Sequence, residues 1–230
     1  MLYAFYDWTI WLVVLGSVLG LIAQGYIQST FRKYSRVPTR MDRTGAEVAS
    51  GLLAQSRCYD TRIAAGGQTL SDHFDPRNNT VNLSRGVYDS SSVSAVSVAA
   101  HECGHVMQHE QGYVPIRIRT ALVPLANLGG QLSMPLLLAG FLFSWTPLLN
   151  LGIWFFGLAV LFQLVTLPVE INASHRALSA LQSGGYLTSD EQRGARKVLF
   201  AAAMTYVAAA LASVLQLLRL MLLFGNRRDR

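Results

Sequence analysis

Charged side chains are scarce in this chain. They make up 14% of its 230 residues, where an ordinary soluble domain carries about 25%, and the shortfall excludes a conventional soluble fold over much of the length. Cysteine is nearly absent. Cys58 and Cys103 are the two present, too few for a disulfide framework or a cysteine-rich zinc module, and a cytoplasmic placement argues against a bridge between them. The net charge of +6, set beside 51% hydrophobic residues, reads as basic loops facing anionic head groups, with no nucleic-acid partner expected.

In place of charge the chain has long apolar runs. The first, residues 8–27, matches the ~20 residues that cross a bilayer, with Tyr3, Phe5, Tyr6, Trp8 and Trp11 at its start and Tyr26 at its end. Asp7 is the only charged side chain ahead of it and no small-residue cleavage site follows, so it is expected to stay as a span and not to be removed as a signal. Arg32, Lys33, Arg36, Arg40 and Arg43 come next and place that side in the cytoplasm. Runs at 121–145, interrupted by Pro124, Gly129, Gly130 and Pro135, and at 148–168 form a transmembrane hairpin around Thr146-Pro147. The last run, 198–224, contains Gln216 and Arg219 and is expected to be a fourth span, with a surface-lying helix as the competing arrangement. Eleven basic residues fall on the inner side, the five above with Arg117, Arg119, Arg176, Arg193, Arg196 and Lys197, against Arg219, Arg227, Arg228 and Arg230 outside.

The stretch 32–119 is polar enough for a small domain. Thr44 to Arg57 predicts an amphipathic helix with Ala46, Val48, Ala49, Leu52 and Leu53 on its apolar face. Gly66-Gly67 is expected to turn between two short strands, 61–65 and 68–73, and the turn Asp75 to Asn79 leads to an alternating strand, Thr80 to Ser84. An edge of such a sheet suits an extended substrate peptide. Ser90 to Glu110 predicts a helix, capped by one of three serines and stopped by Gly112 and Pro115.

On that helix stands His101-Glu102-Cys103-Gly104-His105. Histidines four apart share one helical face and can reach a single tetrahedral metal ion together. Glu102 leans beside that ion, where a general base for a metal-activated water belongs, which is the H-E-x-x-H pattern of a zinc peptidase. Two imidazoles and a carboxylate suit one Zn2+. For the third ligand the hairpin returns the chain to the side it left, so Glu170, directly after the third span, is the expected partner. The competing role for Glu170 is a first-turn helix acid paired with Arg176. His73 is a candidate donor to the oxyanion, against an ordinary turn residue. His109 is a turn too far from His101 to join it, and His175 is a weaker alternative ligand. Cys103 is expected to be a small packing residue.

Taken together, His101 to His105, Leu70 to Pro76, and Pro168 to Ser174 resemble, in order and over nearly the whole chain, the YugP-type bacterial membrane zinc metallopeptidases. More remotely the chain is similar to HtpX-like and CAAX-processing gluzincins. The resemblance implies His101, His105 and Glu170 as ligands and Glu102 as base. More distant relatives carry an acid four positions after the ligand glutamate to orient a histidine, and Ser174 stands there in this chain. Gln108 and Gln111 occupy the positions where a metzincin has glycine and its third histidine.

The expectation is therefore a mainly α membrane protein of about four transmembrane helices with a small α+β gluzincin-like zinc domain. Its segments are a first span (1–31), the zinc domain (32–119), a transmembrane hairpin (120–169), a third-ligand helix (170–197) and a last span with a basic tail (198–230). It is expected in the bacterial inner membrane, cutting proteins or peptides at a cytoplasmic site. A non-catalytic zinc-binding scaffold and a specialised processing enzyme are the alternatives.

Overall fold

A computed structural model of the chain describes residues 7–66 and 72–224. The elements run α1 (Ile10–Tyr34), α2 (Gly45–Gln55), β1 (Arg62–Gly66), β2 (His73–Asp75), β3 (Thr80–Ser84), α3 (Arg85–Tyr88), α4 (Val93–Glu110), α5 (Val114–Leu142), α6 (Thr146–Ser183) and α7 (Ser189–Phe224). Among the described residues α1, α5, α6 and α7 are long and apolar enough to cross a membrane. The chain is a mainly helical membrane protein with a small α+β part. Tyr3, Phe5 and Tyr6, and the tail residues Arg227, Arg228 and Arg230, lie outside the described residues.

Two compact units divide the chain. The helical unit takes residues 7–24, 118–168 and 205–224. Its helices meet through small residues: a Cβ on Gly129 would lie 2.5 Å from the Phe155 carbonyl oxygen. In lipid no hydrophobic force drives helices together, so close backbone approach of this kind supplies the attraction. Large side chains such as Trp11, Leu21, Leu138 and Trp154 are left exposed, as lipid-facing residues are. Pro124 and Pro135 sit inside α5 without ending it.

The mixed unit takes residues 25–66, 72–117 and 169–204. α2 starts at Thr44, whose side chain and that of Glu47 form a reciprocal capping box, and it buries Val48, Ala49, Leu52 and Leu53 against Val96, Ala99, Cys103 and Leu181. α4 is capped by the Ser92 hydroxyl, which accepts from the Ala95 N–H. It ends before Gly112 at φ +63, a left-handed residue that glycine adopts without penalty. The short helix α3 was not expected.

The sheet corrects one expectation. Strand order is β1-β3-β2, with β1 parallel and β2 antiparallel to β3, so β1 and β2 do not pair as a hairpin across Gly66-Gly67. β3 takes the centre because Val81 and Leu83, both fully buried, give it the most apolar face. The turn that does make a hairpin is Asp75 to Asn79, with Asn79 at φ +50, a conformation Asn tolerates. Residues 67–71, including most of the expected second strand, lie outside the described residues.

α6 is one unbroken helix of 38 residues that runs on past Pro168. At nearly twice the ~20 residues a bilayer takes, it has length to spare for the turns after Pro168, which carry Glu170.

Candidate metal centre

α4 sets His101 and His105 one turn apart on one face, and α6 comes in against that face at a glycine. A Cβ on Gly104 would stand 2.4 Å from the Ala173 carbonyl oxygen, so the two backbones touch where any larger residue would hold them apart. Glu170, three residues before Ala173, shares its helical face and is delivered onto the imidazoles. Its Oε2 lies 3.2 Å from His101 Nε2 and 3.5 Å from His105 Nε2. The two rings stand nearly perpendicular, at 86°.

The donor atoms of His101, His105 and Glu170 all lie within 4.8 Å of one another. Ligands about 2.1 Å from a common tetrahedral centre stand about 3.4 Å apart, so this set fits one zinc-sized ion. Glu170 is 2% exposed, and a carboxylate so buried is costly unless paired. Burial disfavours the charged form of His105, but the hydrogen bond it donates to Glu170, with Glu102 adding charge, raises its pKa above the ordinary value.

Each outer nitrogen is held. Ser174 Oγ is 3.2 Å from His101 Nδ1, and Gln108 Oε1 is 3.0 Å from His105 Nδ1. Glu102 is 7% exposed yet makes no hydrogen bond or ion pair with any described residue, which leaves its carboxylate available to water. Cys103 is fully buried, with its Sγ 3.7 Å from the Ala49 carbonyl oxygen. Burial holds its thiol pKa well above the usual range, and Cys58 and Cys103 are both free.

Other sequence candidates fall elsewhere. His73 pairs in register with Asn82, while Phe74 and Val81 form the next pair and contribute to the core. Alternation along the strand therefore turns His73 to the opposite face of the sheet from Phe74, beside Asn82, and the three converging donors are His101, His105 and Glu170. His109 packs edge-on against Phe74, and His175 is exposed. Arg176 bonds Asn172 and Gln111, and Glu170 lies deep inside α6, so Glu170 is not a first-turn acid paired with that arginine.

A family model described as "Putative neutral zinc metallopeptidase" matches residues 9–225. The chain belongs to this family. A relative, "Putative membrane protease YugP" of Bacillus subtilis (strain 168), is 44% identical over 220 residues, which cover 96% of this chain and 98% of the relative. No solved structure matches the chain significantly. Three residues around this candidate site were missed from sequence: Gly104 as the crossing point, Gln108 and Asn172. Gln108 had one visible signal, a polar residue three after His105 on a helix that is otherwise buried there.

Proposed function

We propose that the protein is a membrane-embedded, zinc-dependent endopeptidase of the gluzincin type. One Zn2+ would be held by His101, His105 and Glu170. The observation that carries this is the buried carboxylate oxygen of Glu170 set between two Nε2 atoms whose partner nitrogens are already hydrogen-bonded outward. When bound, the ion supplies Lewis acidity and makes water a nucleophile near neutral pH.

The rest of the chemistry belongs to the chain. Glu102, next to the first ligand on α4, takes a proton from the attacking water and passes it to the leaving amine. His101 and His105 stay neutral donors. Glu170 offsets charge in a site that is largely closed to solvent. His73 has no role in this scheme.

The substrates are proteins or peptides, and the bilayer is a standing partner through the four apolar helices. We place the site on the cytoplasmic side of a bacterial inner membrane. In support, Arg32, Lys33, Arg36, Arg40, Arg43, Arg117, Arg176, Arg193, Arg196 and Lys197 all fall in the mixed unit, the bias that marks cytoplasmic segments. The test is cleavage of an unstructured protein by the zinc-loaded chain in detergent. Glu102→Gln should keep the metal and slow turnover by about 10²–10⁴-fold; cleavage at the wild-type rate, or stoichiometric zinc with no turnover in either protein, overturns the proposal.

A further inference from the structure

We propose that Gln108 is a positioning residue that fixes which nitrogen of His105 carries the proton and, through the same amide, ties His105 to the turn of α6 that bears Glu170. This rests on the metal-site reading above, but its first consequence appears before any metal is added.

The polarity of the network can be followed from one end to the other. Arg176 only donates, and its Nε bonds Asn172 Oδ1 at 2.7 Å. Its guanidinium also donates to Gln111 Oε1 and lies 5.7 Å from the Tyr113 ring centre, so it is held from three directions. Asn172 must then present oxygen inward. That oxygen accepts from Gln108 Nε2 at 3.0 Å, and the same Nε2 donates to the Val169 carbonyl at 2.8 Å. Flipping the Gln108 amide would set oxygen against two oxygens, inside a site where Gln108 is 0% exposed and no water can repair the loss.

Gln108 Oε1 therefore faces His105 Nδ1, at 3.0 Å, and an amide oxygen can only accept. The proton must sit on Nδ1. A neutral imidazole has one N–H and one lone pair, so the lone pair is left on Nε2, the atom 3.5 Å from Glu170 Oε2. Val169 and Asn172 flank Glu170, so a single buried amide sets both the orientation of one donor and the helix turn that supplies another. His101 has a weaker arrangement: its Nδ1 meets the Ser174 hydroxyl, which can either donate or accept.

The experiment uses the full-length protein in detergent, metal-free, with ¹⁵N-labelled histidine rings read by NMR in mildly alkaline buffer. Zinc affinity is then measured by competition with a chelator. Wild type should show His105 protonated on Nδ1. Gln108→Leu should populate the other tautomer and lose about 10–100-fold in zinc affinity. Gln108→Glu keeps an acceptor at His105 Nδ1 but turns its second oxygen to the Val169 and Asn172 oxygens. It should therefore restore Nδ1–H and bind zinc more tightly than Gln108→Leu though less tightly than wild type, a rescue that a merely space-filling role would not give. Protonation on Nε2 alone, with Nδ1 bare, in wild type or in Gln108→Glu overturns the proposal, as does Gln108→Leu with unchanged tautomer and affinity. Should Gln108→Leu not fold, wild type and Gln108→Glu still decide. A wild type that carries Nδ1–H yet binds no zinc defeats the metal reading and leaves this assignment standing.

Discussion

The helical unit and the mixed unit each contain a glycine on which another helix rests, and they use it differently. At Gly129 the Phe155 carbonyl comes within 2.5 Å of a would-be Cβ, and the surroundings are apolar; the contact serves association alone. At Gly104 the Ala173 carbonyl comes within 2.4 Å, and the same close approach carries a carboxylate onto two imidazoles and closes a buried hydrogen-bond network. The difference lies in what stands one turn away. A close crossing is a general device, and it becomes a site only where polar residues with fixed donors and acceptors flank it.

The sharpest separation of the two units comes from removing the group that makes one of them a site. Glu170→Ala should reduce bound zinc from one equivalent to near none by metal analysis, with helix content unchanged by circular dichroism, because α6 is long and needs no carboxylate to form. In the helical unit, Leu21→Ala, at an exposed position, should leave zinc at the wild-type level. Retention of a full equivalent by Glu170→Ala would remove the third ligand from the scheme.

Next in size are the glycines themselves. Gly104→Ala forces α4 and α6 apart and should cost about 1–3 kcal/mol of stability, with zinc affinity falling as well because Glu170 moves with α6. Gly20→Ala on α1, with nothing within 4 Å of the added carbon, should be neutral or stabilise by about 0.5–1 kcal/mol. Thermal unfolding and chelator competition on the two variants check both halves; equal effects would erase the distinction between the units.

A smaller effect concerns pH. The His105 pKa is raised in the metal-free site, with burial opposing and Glu170 prevailing. The proton-stabilised pair is therefore fully present below the ordinary imidazole value of about 6.5 and is lost as pH rises through the folded value. Zinc must displace that proton, so the gain in melting temperature on adding zinc should be largest in mildly alkaline buffer and should shrink on acidification, beginning above pH ~6.5. A zinc-induced gain that stays constant across this range would contradict the pairing of His105 with Glu170.

These effects also separate what the sequence made legible from what it hid. The spans were readable because apolar length is a local property, and the capped start of α4 was readable from the run of serines at 90–92 and the helical spacing that follows, with the structure choosing Ser92 among them. Glu170 was reachable by topology, since a hairpin returns the chain to its starting side. The pairing of β1 was not, because Gly66-Gly67 is a local turn signal and strand order is decided by which strand can bury both Val81 and Leu83. Gln108 and Asn172 were hidden for a related reason. Their roles depend on which way two amides face: Arg176, one turn on along α6, orients Asn172, and Asn172 orients Gln108 from across the contact with α4.

The smallest predicted effect tests the unequal support of the two imidazoles. Ser174 gives His101 Nδ1 one neutral contact at 3.2 Å, at the loose end of hydrogen-bond geometry, whereas Gln108 holds His105 at 3.0 Å and is itself bonded twice. A neutral hydrogen bond contributes about 0.5–1.5 kcal/mol net, so Ser174→Ala should weaken zinc binding by roughly 2–10-fold, less than Gln108→Leu. Ser174→Asp places an ionised acceptor at the same nitrogen. Charge-assisted bonds are about twice as strong, and the added carboxylate also makes the ligand set more anionic, so zinc should bind more tightly than in wild type. Weaker binding in Ser174→Asp than in Ser174→Ala would mean that His101 Nδ1 carries no proton to share, and that Ser174 donates to it.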